Sequence, residues 1–340
     1  QRLPWGLTGT AELLYSKDVN GVAYINANLP AAQTAFTGPD ARPRWTSNRI
    51  YPNVSNAIVL TNEGKGYSWN LAFSVERAFR NGLFAKLGYT YGVSKNTVDA
   101  GSIAAGSWTG NSISLDPNNP AAGYSLFSPG PRIFGALTYS REFFAGSPTS
   151  VSVYFDGRSA GDSGYVFSGD MNNDGANNND LIYVPRNTRE MNFVPLTVGS
   201  TTYTPAQQAA AWDAFITQDS YLNKRRGGYA ERNAVFRPMV YRADLSISQD
   251  VGRSIGGRPN RLQIRLDILN VTNLLDHNWG VSQNFVSARP LTYVGVDGLG
   301  APQYTLATVG GQLISHSFQK VVTTADVWRM QLGVRYMFNW

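Results

Sequence analysis

Val327-Trp-Arg-Met-Gln-Leu-Gly-Val-Arg-Tyr-Met-Phe-Asn-Trp340 is the stretch that decides the fold. From Trp328 onward every even position is apolar or aromatic: Trp328, Met330, Leu332, Val334, Tyr336, Phe338 and Trp340. The odd positions are Arg329, Gln331, Gly333, Arg335, Met337 and Asn339, so all but Met337 are polar or glycine. A side-chain period of two marks a strand, and this one is longer than the five or six residues usual in soluble sheets. In an outer-membrane barrel such alternation is required, because one face meets lipid and the other a wet lumen.

Seven more segments repeat the pattern: Leu7–Lys17, Tyr67–Phe79, Leu83–Asn96, Arg132–Phe143, Thr149–Ser159, Tyr241–Val251 and a run starting at Arg261. In the third of these, Ala85, Leu87, Tyr89, Tyr91 and Val93 alternate with Lys86, Gly88, Thr90, Gly92 and Ser94. A slip of phase near Asn270 predicts a bulge. The connections alternate as well. Short links are expected at Arg80–Gly82, Ala145–Pro148 and Gly252–Asn260, and long ones over 18–66, 97–131, 161–239 and 273–325. Short periplasmic turns and long outer loops are the rule for outer-membrane barrels. Counting back from a periplasmic C-terminus puts all four long connections outside. A soluble sandwich or propeller leaves that alternation of loop lengths unexplained. The expected fold is therefore an all-β, antiparallel, up-and-down transmembrane β-barrel segment over residues 1–340, with long extracellular loops and one short loop helix.

Composition agrees. Only 15% of the 340 residues are charged, against about 25% in ordinary soluble domains. With no cysteine, disulfides, thiolate metal sites and cysteine nucleophiles are excluded. No run of eighteen apolar residues offers a transmembrane helix. Gln1 opens without the basic and apolar regions of a signal peptide, so a mature chain or a fragment is expected. The net charge of +6 is scattered rather than clustered, which argues against a nucleic-acid partner. Inside the longest loop, Thr204-Pro-Ala-Gln207 supplies an N-cap, a proline at the first helical position and Gln at N3. It predicts a helix running towards Asp219, on the loop's own surface or over the barrel mouth.

Two motifs bear on chemistry. Asp170-Met-Asn172-Asn-Asp174-Gly175 matches the first half of an EF-hand loop, whose alternating oxygens converge on Ca²⁺. The expected ligands are Asp170, Asn172, Asp174, the carbonyl of Ala176, and Asp180. The closing acid departs from the pattern, since Asp180 is the eleventh residue and Leu181 the twelfth. The competing reading is a surface turn rich in Asn, Asp and Gly. Gly157-Arg-Ser159-Ala-Gly161 matches a nucleophile elbow, which needs a strand–turn–helix setting and a histidine. A polar loop follows instead, and the chain holds only His277 and His316, so no enzyme is expected. Charged residues on the predicted inner face include Glu76, Lys86, Arg132, Asp156, Arg242, Arg265 and Asp267, which a lumen can solvate or pair. Aromatics such as Trp5, Tyr15, Trp69, Tyr89, Tyr91, Tyr139, Tyr241, Trp328 and Trp340 fit interfacial girdles.

In its motifs the chain resembles the C-terminal part of a TonB-dependent outer-membrane receptor of the Oar-like group. The likeness is carried by Gly169-Asp-Met-Asn-Asn-Asp-Gly175 with Asn179-Asp-Leu-Ile-Tyr-Val-Pro185, then by Tyr221-Leu222, Arg226-Gly227 and Glu231-Arg232-Asn233, and by Leu266-Asp-Ile-Leu-Asn-Val-Thr-Asn273. Gln331, Gly333, Tyr336, Phe338 and Trp340 are similar to the signal read by the outer-membrane assembly machinery. The resemblance implies a 22-stranded barrel around a plug, with contact to TonB through an N-terminal region not in this chain. It implies uptake of an unidentified nutrient in the outer membrane of a Gram-negative-type bacterium. A complete eight-stranded barrel is the rival architecture. A surface adhesion or assembly protein that uses its loops without transport is the rival function.

Overall fold

A computed structural model describes residues 1–144, 147–159, 161–255 and 258–338. All eight expected strands are present, within a few residues of their expected ends: β1 (Thr8–Lys17), β2 (Tyr67–Ala78), β3 (Leu83–Asn96), β4 (Gly130–Phe144), β5 (Ser147–Ser159), β6 (Met239–Ile255), β7 (Arg258–Leu269) and β8 (Arg329–Phe338). Each pairs antiparallel with its neighbours in the chain, and together they form one wall. Strands β1 and β8 are its two edges and do not pair with each other among the described residues.

The register shows why the sequence alternates. One apolar row runs Leu137, Val153, Leu245, Ile268, Met330, and the next Tyr139, Val151, Ile247, Leu266, Leu332. Between them lies the row Thr138, Ser152, Ser246, Asp267, Gln331, on the opposite face. Many of the apolar side chains stand exposed, with Leu332 at 69%. Exposed apolar surface spread across a whole sheet face is rare in water-soluble proteins and ordinary against lipid. On the polar face charges meet in pairs: Lys86 with Glu76 at 2.9 Å, Arg132 with Asp156 at 2.6 Å, and Arg265 with Asp267 at 2.9 Å. No helix is long and apolar enough to cross a membrane among the described residues.

Two expectations need correction. The link set at Gly252–Asn260 is much shorter, because β6 runs to Ile255 and β7 starts at Arg258, with Gly252 opposite Arg261. Alternation had faded there, yet the backbone ladder continues without it. Asn270 is not a bulge. It ends β7 in the left-handed region at φ 52° and leads into a short helix, Val271–Leu275. Asparagine tolerates that conformation, and its N–H donates to Asp244 at 2.7 Å.

The long loops carry the buried core. Phe36 from the first loop, Tyr165, Phe167, Ile182, Trp212, Phe215 and Leu222 from the third, and Leu291, Tyr304 and Ile314 from the fourth pack together. Each such side chain contributes about 1.5–3 kcal/mol on burial. A smaller cluster of Leu29, Trp45, Trp108 and Ala176 joins the first three loops. The helix Pro205–Gln218 has the expected capping box on Thr204 and Gln207. It does not lie on its own loop's surface, since Trp212, Phe215 and Ile216 pack it into this core shared with other loops. Buried Gln208 ties it down, donating to the Val194 carbonyl and accepting from Leu306 N–H. The loops thus form a packed cap on one end of the wall.

Candidate functional site in the loop cap

The Asp170 turn lies inside this cap and closes on its own backbone. Asp170 accepts from the N–H groups of Asp174 (3.2 Å) and Gly175 (2.9 Å), and Asp174 from Ala176 N–H at 2.8 Å. The Asn172 amide donates to Asp174 at 3.1 Å, and Asp180 accepts from Met171 N–H at 2.9 Å. Gly175, at φ +95°, makes the sharp turn. Burial and the neighbouring carboxylate of Asp180 push Asp174 up to about 7. Burial pushes Asp180 up to about 6, although Arg42 opposes the rise. Among the described residues no group of three or more His, Cys, Asp or Glu side chains is placed to hold a metal ion.

Arg42, from the first loop, is the cation beside this turn. It is fully buried, 3.4 Å from Asp180, and bidentate to Asp40 at 3.0 and 3.1 Å. Its guanidinium lies 5.1 Å from the ring centres of Phe167 and Tyr229, and Tyr229 donates to Asp40 at 3.0 Å. Burial would lower the Arg42 pKa, but Asp40 and Asp180 more than offset it, so Arg42 sits above its ordinary value. Sequence reading missed this residue. Its only local signal is the Asp40-Ala-Arg42 spacing, which is common in exposed loops.

The segment Glu231-Arg-Asn-Ala-Val-Phe236 returns from the cap towards β6 and borders three cavities. The first, about 330 Å³, is lined by Asp99, Asn111, Ser112, Arg232 and Asn233 among others. A second, about 520 Å³, lies between Tyr124, Tyr221, Lys224, Glu231 and Phe236. The third, about 430 Å³, is bounded by Ser112, Ser163, Asn233, Ser287 and Arg289. Glu231 is held on both oxygens, one by Lys95 and the other by Arg225. Arg232 is buried, and its partners among the described residues are neutral, including Asn111 at 2.7 Å and the Asn96 carbonyl at 2.5 Å. Burial pulls its pKa down, with Asp99 and Asp162 opposing. Burial pushes the nearby Asp162 up to about 6. Asn233 holds a left-handed backbone at φ 52°. Such strain is kept where the surrounding structure fixes it, and its amide donates to the Tyr124 carbonyl at 3.0 Å.

Other expected residues fall elsewhere. Ser159 ends β5, and its hydroxyl donates to the Gly161 and Arg237 carbonyls at 3.0 and 2.9 Å. Gln331, Gly333 and Tyr336 lie on β8 with the backbone of Phe338, whereas Trp340 lies outside the described residues. The girdle aromatics Trp5, Tyr15 and Tyr241 are exposed, as an interface position requires.

A family model described as an outer membrane beta barrel domain matches residues 1–289. No curated protein and no solved structure matches the chain.

Proposed function

The chain belongs to the outer membrane beta barrel domain family, and on that premise we propose that it forms wall and cap of a TonB-dependent, Oar-like receptor for nutrient uptake. The family places the protein in the cell outer membrane. The observation that carries the transport reading is the Glu231–Phe236 segment, which borders three cavities within the folded cap. Loops with a packed core suit capture of a ligand better than loops that only extend from the surface. Strands β1 and β8, which do not pair with each other among the described residues, fit a wall that is part of a larger barrel. In this reading a plug and a TonB-contacting segment belong upstream of Gln1. The last strand, through Gln331, Gly333, Tyr336 and Phe338, is an address for the outer-membrane assembly machinery. At Asp170, Asn172, Asp174, Ala176 and Asp180 the calcium reading competes with a turn closed on its own amides, in which Arg42 is the cation, and we prefer the closed turn.

In-cell cross-linking between the product of the full reading frame and TonB tests the transport reading. A TonB adduct is expected. Its absence from a correctly inserted barrel would point to adhesion through the cap.

A further inference from the structure

We infer that the two cavities meeting at Ser112 and Asn233 form one binding cleft for an oxyanion on a hydroxylated body, the chemistry shared by sugar acids and sugar phosphates. The inference deepens the uptake reading and rests on it for the role of the cap. Ser112 and Asn233 line both cavities, so the two spaces adjoin across those side chains. The lining combines hydroxyl and amide groups, including Ser112, Ser163, Ser287 and Asn233, with apolar side chains such as Ile103 and Leu126. The hydroxyl and amide groups donate and accept in the same place, as a polyol requires. No aromatic side chain lines either cavity, so the site does not select a flat apolar ring. The 520 Å³ cavity differs, having Tyr124, Tyr221, Phe236 and Phe318 in its lining.

Charge supplies the oxyanion. Asp99 is the carboxylate of the lining, and its oxygens already accept from Ser125 Oγ at 2.6 Å, Asn96 at 2.9 Å and Leu126 N–H at 3.0 Å. Arg289 is exposed at the edge of the cleft and makes no ion pair among the described residues. A guanidinium fork matches a carboxylate or phosphate through two parallel hydrogen bonds. Deeper in, Arg232 lines the cleft, its Nε buried and without a hydrogen-bond partner among the described residues. Buried polar atoms left unpaired are uncommon and need a specific explanation, and a polar ligand provides one. The close approach of Gly164 helps to shape the cleft, since a Cβ there would sit 3.2 Å from Asn233 N.

Calorimetric titration of the detergent-solubilised chain with glucuronate, glucose 6-phosphate, glucose and inorganic phosphate tests the cleft. Both anionic sugars are expected to bind at least about tenfold more tightly than glucose or phosphate. Arg289→Glu should weaken both by at least about tenfold, and Ser163→Ala by roughly threefold. Equal binding of glucose and glucuronate would overturn the inference, as would phosphate binding as tightly as the sugar anions. No heat with any of the four, or an Arg289→Glu protein that binds normally, would overturn it too. TonB takes no part in the titration. A failed titration beside an intact TonB cross-link therefore removes the cleft alone, and the reverse result removes only the transport reading.

Discussion

Leu332 in the wall is 69% exposed and Trp212 in the cap is 1% exposed, although both are large apolar side chains on regular elements. The wall presents its apolar residues outward in rows and pairs its charges on the opposite face. The cap does the reverse, burying aromatics such as Trp212, Phe215 and Phe167 in a core of its own. Lipid satisfies the first pattern, whereas only self-packing satisfies the second. The two regions therefore differ in which substitutions they tolerate.

The largest contrast is expected from Trp212→Ala. It removes a buried side chain stacked on Phe215 and should destabilise the cap by about 3–5 kcal/mol, read as protease sensitivity of the loops with the wall intact. Loss of barrel assembly as well would show that the two regions are not separable. In the wall, Leu332→Arg should cost about 2–4 kcal/mol, as a charge at mid-membrane depth on the lipid face does. Gln331→Arg, on the polar face, should be nearly neutral. Refolding yields into lipid vesicles check the pair, and equal losses would mean that the assigned facing is wrong.

Smaller effects concern the buried carboxylates of the cap. Burial raises Asp162 to about 6, so its contribution penalises the fold as pH climbs from about 4 through about 6. Asp162→Asn should then raise cap stability at pH 8 by roughly 1–2 kcal/mol and flatten its pH dependence. Thermal unfolding at pH 5 and pH 8 measures this, and an unchanged pH slope would contradict it. Calcium should have the least effect. With Arg42 beside Asp180 and the turn closed on its own amides, 1 mM Ca²⁺ should move the cap midpoint by less than about 1 °C. A shift of several degrees would instead reveal a bound ion stabilising the folded state and support the calcium reading.

How much the sequence disclosed follows the same division. The wall was legible because a period of two repeats over ten or more residues, as Leu83–Asn96 and Arg329–Phe338 show. It failed at Gly252–Asn260, where the ladder continues through residues that do not alternate. In the cap only local chemistry was legible, such as the Thr204 capping box and the Asp170 turn. Phe36, Phe167 and Tyr304 meet across more than a hundred residues of chain, and no period announces such contacts. Arg42 was hidden for that reason. Arg232 and Asn233 stood in a quoted motif, yet their position between cavities follows only from the folded loops.

Because the chain has no cysteine, single cysteines can report on both regions without background. Leu299→Cys lies at an exposed site in the cap and Leu332→Cys on the outward face of the wall. In intact cells a membrane-impermeant maleimide should label residue 299 and leave residue 332 unreacted, while a fluorophore at 332 should be quenched by brominated lipid in vesicles. Labelling of 332 from the aqueous phase, or protection of 299 in intact cells, would contradict a lipid-facing wall beneath an extracellular cap.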